Sequence, residues 1–379
     1  MDFFPYLITL LILTSLLTIA RYNVINNSIN GAVISKRYSP IGVVNLIISY
    51  IIFITFSVFR KIDVGLGGMD AIGYKTIFNN AGGNLVDSLN RQFYEPGYAV
   101  LIWISRTISE DYRVALFIIY SIMFILMASY IKYINFNKYS FLSIFLLLTL
   151  WLSSFNITRV ILALFLGTLV YTLLFRRKIK SALLIATLAT TIHTAAVILF
   201  PIIVLVALIE NRVKFKPKKL VFLIFLLTSF FLLAINIIDR IIIGTRYDVY
   251  LERAQGSMAT GTYVIVAISF IISLFKFNNL NKFSSYNKTL IIILPVCLTL
   301  IPLQASISIV YRMVIFFLPI LYILIPEIIR TFQLRSIKEV IENVPIKLGL
   351  FSYLIYRIYD FFSIEINHIG VPYINTLFN

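Results

Sequence analysis

The chain has 379 residues, of which 60% are hydrophobic, 15% aromatic and only 13% charged, with a mean hydropathy of +0.94. A soluble domain carries about 25% charged residues, so this chain lacks the charge to cover a water-facing surface. That excludes a soluble enzyme, a secreted disulfide scaffold and a disordered chain. The net charge of +17 comes in small clusters between apolar runs, the footprint of the positive-inside rule rather than of a nucleic-acid partner.

A spanning helix needs roughly 20 apolar residues. In chain order, runs at 3–20, 41–59, 112–131, 139–155, 160–175, 220–238, 261–277, 289–303, 313–328 and 348–362 meet or approach that length. Met1–Asp2 offers no basic n-region and no small-residue cleavage site follows, so the first run is expected to be a span and not a signal peptide. The run 181–209 is too long for one span. Thr190, Thr191, His193 and Thr194 lie near its middle, Pro201 follows, and both ends are basic, which predicts two short helices with His193 at their junction. Cys297 is the single cysteine and lies in an apolar run, so neither a disulfide framework nor a cysteine-based metal site is expected.

Placing the basic clusters in the cytoplasm puts loops 21–40, 132–138, 176–180, 210–219, 276–288 and 329–347 inside, and these loops, with Glu327 just before the last of them, carry the whole +17 excess. The expected fold is an all-α polytopic membrane protein of about 12 transmembrane helices. Residues 1–379 form one integral membrane domain with both ends outside. The longer outer segments are 60–111 and 239–260. Within the first, 97–108 is expected to lie on the outer face as a peripheral or re-entrant helix.

Charges at membrane depth are costly, about +2.5–3.5 kcal/mol for Arg or Asp at a helix centre on translocon scales. They persist where they line a cavity or bind something, so arginines at outer helix ends single themselves out. Arg60 ends the second span, Arg159 stands between two apolar runs, and Arg312 opens a late span. In this topology the three share one depth with His193. Arginine presents a planar fork suited to phosphate, and three cations around one cavity call for an anion between them, which makes a diphosphate a natural guest. Taken singly, each Arg also fits a headgroup-snorkelling role.

His193 titrates near neutrality and suits proton transfer, although a hydrogen-bonded helix-end His is an equally ordinary role. No zinc spacing appears around His193 or His368. Asp70 and Glu95 in the first outer segment are further candidates for a general base, with helix-start acids as the plain alternative. Tyr74, Tyr94 and Tyr98 offer rings that can stack on sugars. In the second outer segment, Arg246, Arg253 and Tyr247 are weaker candidates for substrate contact; Arg240, Asp248 and Glu252 read as a solvated helical face.

The order of these motifs resembles the EpsG-like and Wzy-type bacterial polysaccharide polymerases. The resemblance runs from residue 41 to about 330. It rests on Arg60…Gly65…Asp70…Tyr74, then Glu95-Pro-Gly-Tyr98, then Arg159-Val-Ile-Leu-Ala163. His193-Thr-Ala-Ala196 with Pro201 follows, and Arg312 precedes the aromatic-rich stretch to Pro319. Two departures stand out: Gly65 is five residues before Asp70 where relatives place a glycine directly before the acid, and Val160 replaces a frequent Gln. The resemblance implies a fold akin to the C-type glycosyltransferases and a polymerase at the outer face of the bacterial cytoplasmic membrane. It implies transfer of a growing undecaprenyl-diphosphate-linked glycan to a hydroxyl of the next lipid-linked repeat unit, making O-antigen, capsule or exopolysaccharide. No cofactor and no metal are implied; membrane lipid and a chain-length regulator are the implied partners. Arg60, Arg159 and Arg312 would bind diphosphate, with His193, Glu95 or Asp70 as base and Tyr74, Tyr98, Arg246 and Arg253 on the substrate. Two other readings stand beside it. A flippase for the same lipid-linked oligosaccharide should show two related halves, and none is evident. A membrane acyltransferase modifying surface sugars should draw its donor from the cytoplasm.

Overall fold

A computed structural model describes residues 4–29, 32–63, 68, 70–81, 83–91, 95–132, 139–210, 260–283, 285–300, 310–332 and 337–360. In chain order the elements are α1 (Phe4–Tyr22), the strands β1 (Val24–Ile29) and β2 (Ala32–Tyr38), α2 (Pro40–Val58), α3 (Ala71–Asn79), α4 (Leu85–Arg91) and α5 (Pro96–Ile108). Then come α6 (Tyr112–Ile131), α7 (Ser140–Ser153), α8 (Thr158–Phe175), α9 (Ile179–Ile192), a 3-10 turn at Thr194–Ile198 and α10 (Leu199–Glu210). Beyond them lie Thr260–Phe275, Phe277–Phe283, Ser285–Leu300, Val310–Thr331 and Ile337–Asp360.

Five of the described helices are long and apolar enough to cross a bilayer: α1, α2, α6, α8 and Val310–Thr331. Shorter apolar helices cover 140–153, 179–192, 194–208, 264–275 and 287–300. The protein is thus a helical, multi-pass membrane protein. Most of the apolar runs predict these elements to within a few residues, and the 181–209 run breaks at His193. The run 348–362 does not, because the helix there is Ile337–Asp360 and takes in part of the expected loop 329–347, and Phe277–Phe283 is helical within the expected loop 276–288. The run 220–238 and the segment 239–259 lie outside the described residues.

A further part of the sequence reading needs correction. Segment 21–40 is not a plain loop: β1 and β2 pair antiparallel, from Val24 opposite Tyr38 to Ile29 opposite Ala32, with an irregularity at Asn27/Ser28. The strands are rich in Val and Ile, and the sequence between them reads Asn30-Gly31, the strongest short hairpin signal. Tyr38 closes the hairpin onto the bundle by donating its hydroxyl to the Ala128 carbonyl at 2.7 Å.

The described residues pack as two compact units. One draws on Met1–Thr172, Thr187–Thr194 and Leu354–Asn379, the other on Leu173–Ala186 and Ala195–Tyr353. In the first, α2 is started by Ser39, whose hydroxyl accepts from the Gly42 N–H, with Pro40 pre-set for the first turn. Asp111 starts α6 in the same way, accepting from the Arg113 N–H at 2.9 Å. Hydroxyls inside the apolar helices turn back onto their own carbonyls: Thr14 to Leu10, Ser57 to Phe53 and Thr158 to Ser154. Lipid offers no water to satisfy them, so the helix itself must.

Between apolar helices in lipid, burial in water no longer drives association, and close packing takes its place. Here an aromatic stack supplies it. Phe53 of α2 lies on Trp151 of α7 at 4.4 Å, with Phe124 of α6 edge-on to Phe53. Phe155 meets Phe56, Trp151 and Tyr120, and Tyr6 of α1 meets Phe56. The Trp151 indole donates to the Ser57 hydroxyl at 2.9 Å. Each such ring pair adds about 0.5–1.5 kcal/mol beyond its area, so α1, α2, α6 and α7 are held in one register.

That stack also receives the segment before α3. Gly68 has φ +115°, and a Cβ there would stand 2.1 Å from the Phe155 carbonyl oxygen. Only glycine lets the chain pass at that angle and distance. Two residues on, the Asp70 N–H donates to the Asn156 side chain at 3.0 Å. Gly68→Ala should therefore destabilise the purified protein by about 1–3 kcal/mol. Gly83→Ala, where a Cβ meets nothing within 4 Å, should stay within about 0.5 kcal/mol of wild type. Thermal unfolding in detergent reads both, and equal midpoints for the two variants would contradict the close approach.

Candidate functional site

Glu95 is the residue before α5, in extended conformation, and Pro96 takes the first helical position. An acid there normally caps its own helix. Its side chain makes no such cap. The carboxylate instead accepts from Arg159 Nη1 at 2.7 Å, at the start of α8, and from the backbone N–H and hydroxyl of Thr194, both at 3.3 Å. Three stretches distant in sequence therefore meet on one carboxylate. Gly97 permits it: a Cβ there would lie 2.3 Å from the Thr191 hydroxyl oxygen and 2.9 Å from its carbonyl carbon.

Glu95 is 6% exposed and His193 2%. Burial pushes the Glu95 carboxyl up, but the Arg159 guanidinium, its own N–H, the nearby His193 and the Thr194 N–H together hold it below the usual carboxylate range. It is an anion at neutral pH. His193 sits at the break after α9, its N–H still donating to Ala189 at 2.9 Å.

Tyrosines surround this pair. The Arg159 guanidinium stands 5.8 Å from the Tyr74 ring centre and 5.7 Å from that of Tyr98, and it hydrogen-bonds Tyr74. Tyr74 and Tyr98 meet edge to face at 6.0 Å. Tyr98 is fully buried, and its hydroxyl has no hydrogen-bond partner among the described residues. Burial raises that phenol well above its ordinary range, against the pull of Arg159, so it stays protonated and able to donate.

Arg60 lies at the same end of this unit. It is 4% exposed, 4.2 Å from the Phe155 ring centre and 5.3 Å from that of Tyr120, and it donates to the Ser57 carbonyl at the end of α2. Aromatic faces and a helix C-terminus both favour a cation. Tyr112 and Tyr120 connect the two arginines: Tyr112 is within electrostatic reach of Arg60, Tyr120 and Tyr74, and both Tyr112 and Tyr120 are within reach of Tyr98.

Of the residues singled out in the sequence, the first unit thus brings together Arg60, Tyr74, Glu95, Tyr98, Arg159 and His193. Asp70 is exposed and precedes α3; its backbone is fixed by Asn156. Arg312 is half-buried in the second unit, in the opening turn of Val310–Thr331. Gly65, Tyr94, Arg246, Tyr247, Arg253 and His368 lie outside the described residues. Among those described, no three His, Cys, Asp or Glu side chains gather as metal ligands would. Thr194 entered the sequence reading only as part of the polar break, and Tyr112 and Tyr120 escaped it. Thr194 follows the His and was legible as its neighbour. The two tyrosines sit inside an apolar span, where nothing local marks them.

No curated protein and no solved structure matches this chain. A family model does, over residues 43–375, which takes in every site residue named above. On that match the chain is a membrane protein of the EpsG family, a family associated with exopolysaccharide biosynthesis.

Proposed function

We propose that the protein is a polymerase of lipid-linked glycans. It transfers a growing chain from its undecaprenyl diphosphate to a hydroxyl of the next lipid-linked repeat unit, at the outer face of the bacterial cytoplasmic membrane. One observation carries the reading above the others: a buried Arg159–Glu95 pair, with His193 beside it and Arg60 one tyrosine layer away, at a single end of the first unit. The basic inner loops support an outward orientation for that end, because the hairpin and Lys132 lie at the opposite one.

In the transfer, the bond from the donor sugar's C1 to the diphosphate oxygen breaks and a bond from C1 to the acceptor oxygen forms. The departing diphosphate keeps the electron pair; the acceptor proton passes to a base. Arg159 meets the charge that develops on the leaving oxygen, and Arg60 and Arg312 are the further diphosphate-binding candidates. Positioned charge of this kind is often the largest catalytic term. Glu95 serves Arg159 as a positioning residue: its lowered pKa suits an ion pair better than proton uptake. His193 takes the acceptor proton, and the Tyr98 hydroxyl donates to the substrate. Tyr74, Arg246 and Arg253 complete the substrate contacts, and Asp70 stands as the reserve candidate for base.

Arg159→Ala should leave the protein in the membrane and lower polymerisation by about 10²–10³-fold. Arg159→Lys should rescue little, since the fork is lost. Converting a purified lipid-linked repeat unit into a ladder of chain lengths is the assay. A full ladder from Arg159→Ala would end this assignment.

The pH profile separates the two buried acid–base groups. With His193 as base, the rate rises as its proton is lost. The Glu95 anion favours protonated His193, so Glu95→Gln should move that acid limb to lower pH while slowing the reaction. A limb that vanishes with Glu95→Gln but survives His193→Asn would make Glu95 the base instead. For stability the sign is that of a lowered carboxylate: the pair contributes fully above about pH 5 and is lost as pH falls through the depressed value. Glu95→Gln should flatten that acid loss in thermal unfolding.

Gly97→Ala should push the start of α5 off Thr191 and cut the ladder without removing any charged group. Activity equal to wild type would show that the close approach has no part in the site.

A further inference from the structure

Arg60 also lines a polar cavity of about 370 Å³ in the first unit. Three segments build its polar wall: Arg60 and Lys61 after α2, Lys75 on α3, and Asp111, Tyr112 and Arg113 at the start of α6. Four cations thus face one carboxylate. Asp111 lies 3.9 Å from Arg113 while capping α6, and Asp63 only reaches Lys61 at 4.0 Å. Even with both acids counted, the wall keeps a positive excess, and the 20-residue helix α6 adds the positive end of its dipole. Arg60 is nearly sealed from solvent, so its field is weakly screened. A water takes about 30 Å³ in the liquid, so the cavity has room for a polyatomic anion with part of its hydration.

The Arg159 locus differs. There Glu95 already balances the guanidinium, and neither residue lines this cavity. We propose that the cavity is a second anion site, taking a phosphate or diphosphate group. Transfer chemistry needs one: the donor's diphosphate departs while the acceptor's own diphosphate stays attached to its lipid, so two such groups are held at once. Naming the occupant as the acceptor's diphosphate rests on the polymerase reading; the anion site itself does not.

Full-length protein in phosphatidylcholine nanodiscs, titrated with inorganic pyrophosphate, tests it. Lys61→Gln with Lys75→Gln should weaken binding about tenfold or more, since charge-assisted contacts to phosphate are the strong ones. Both side chains are largely exposed, so folding is spared. Lys178→Gln with Lys180→Gln removes the same charge elsewhere and should leave binding as in wild type. Equal affinity in the two double variants, or equal loss, overturns the site. Replacing part of the phosphatidylcholine with phosphatidic acid separates the sources: competition with pyrophosphate marks a lipid headgroup, and its absence marks a phosphate arriving from solution. The two failures are distinct. A wild-type protein that yields no ladder yet shows the pyrophosphate difference sinks the polymerase reading alone; a ladder without that difference sinks the cavity alone.

Discussion

A buried carboxylate must find partners or lose its charge, and Glu95 finds them in two other parts of the chain. Removing one member of a buried ion pair leaves an uncompensated charge, at a cost of about 3–5 kcal/mol. The start of α8 and the turn after α9 are therefore fixed to the start of α5, and the helix-to-helix distances at this end follow. Gly97 and Gly68 are consequences of the same constraint. Each stands where a Cβ would strike the backbone of a segment the site needs close, at Thr191 and at Phe155.

Below this end the aromatic stack does the complementary work. Phe53, Trp151, Phe56 and Phe155 lock α2 and α7 together without a charge among them, and the last ring of the series, Phe155, is the one Arg60 stands on. Packing and site are continuous: the residue that completes the core also receives the cation. The residues that follow Phe155, Asn156 to Arg159, then carry the chain from stack to ion pair within a single turn and the start of α8.

The spans were legible because a bilayer imposes length and composition on each segment separately. The break at His193 was legible for a similar reason: a cluster of Thr and His halfway along an apolar run has no place in lipid. The hairpin was also written locally, in Asn30-Gly31 between two β-branched runs, but charge bookkeeping treated 21–40 only as an inner loop. Glu95 shows where local reading ends. Before Pro-Gly it looks like an ordinary helix-start acid, and only its partner 64 residues away turns the carboxylate elsewhere. Tyr112 and Tyr120 look like lipid-facing aromatics in α6. Lys61, Lys75 and Arg113 each stand near an acid in the sequence, which hides that these three cations share a wall with one carboxylate.

The two arginines carry their charge differently, and the difference follows from what holds them. An ion pair positions a guanidinium by cancelling its field; aromatic faces position it while leaving the field in place. Arg159, one of whose five N–H donors is committed to Glu95, would recognise an anion at short range and in a fixed orientation, with Glu95 resisting any guest that does not match the fork. Arg60, held by Phe155 and Tyr120 among lysines, would attract an anion at longer range with little demand on its shape. The proposed transfer, which releases one diphosphate and retains another, has use for both behaviours. The strict locus suits the group whose charge changes during transfer, and the permissive one suits the group that is carried through unchanged.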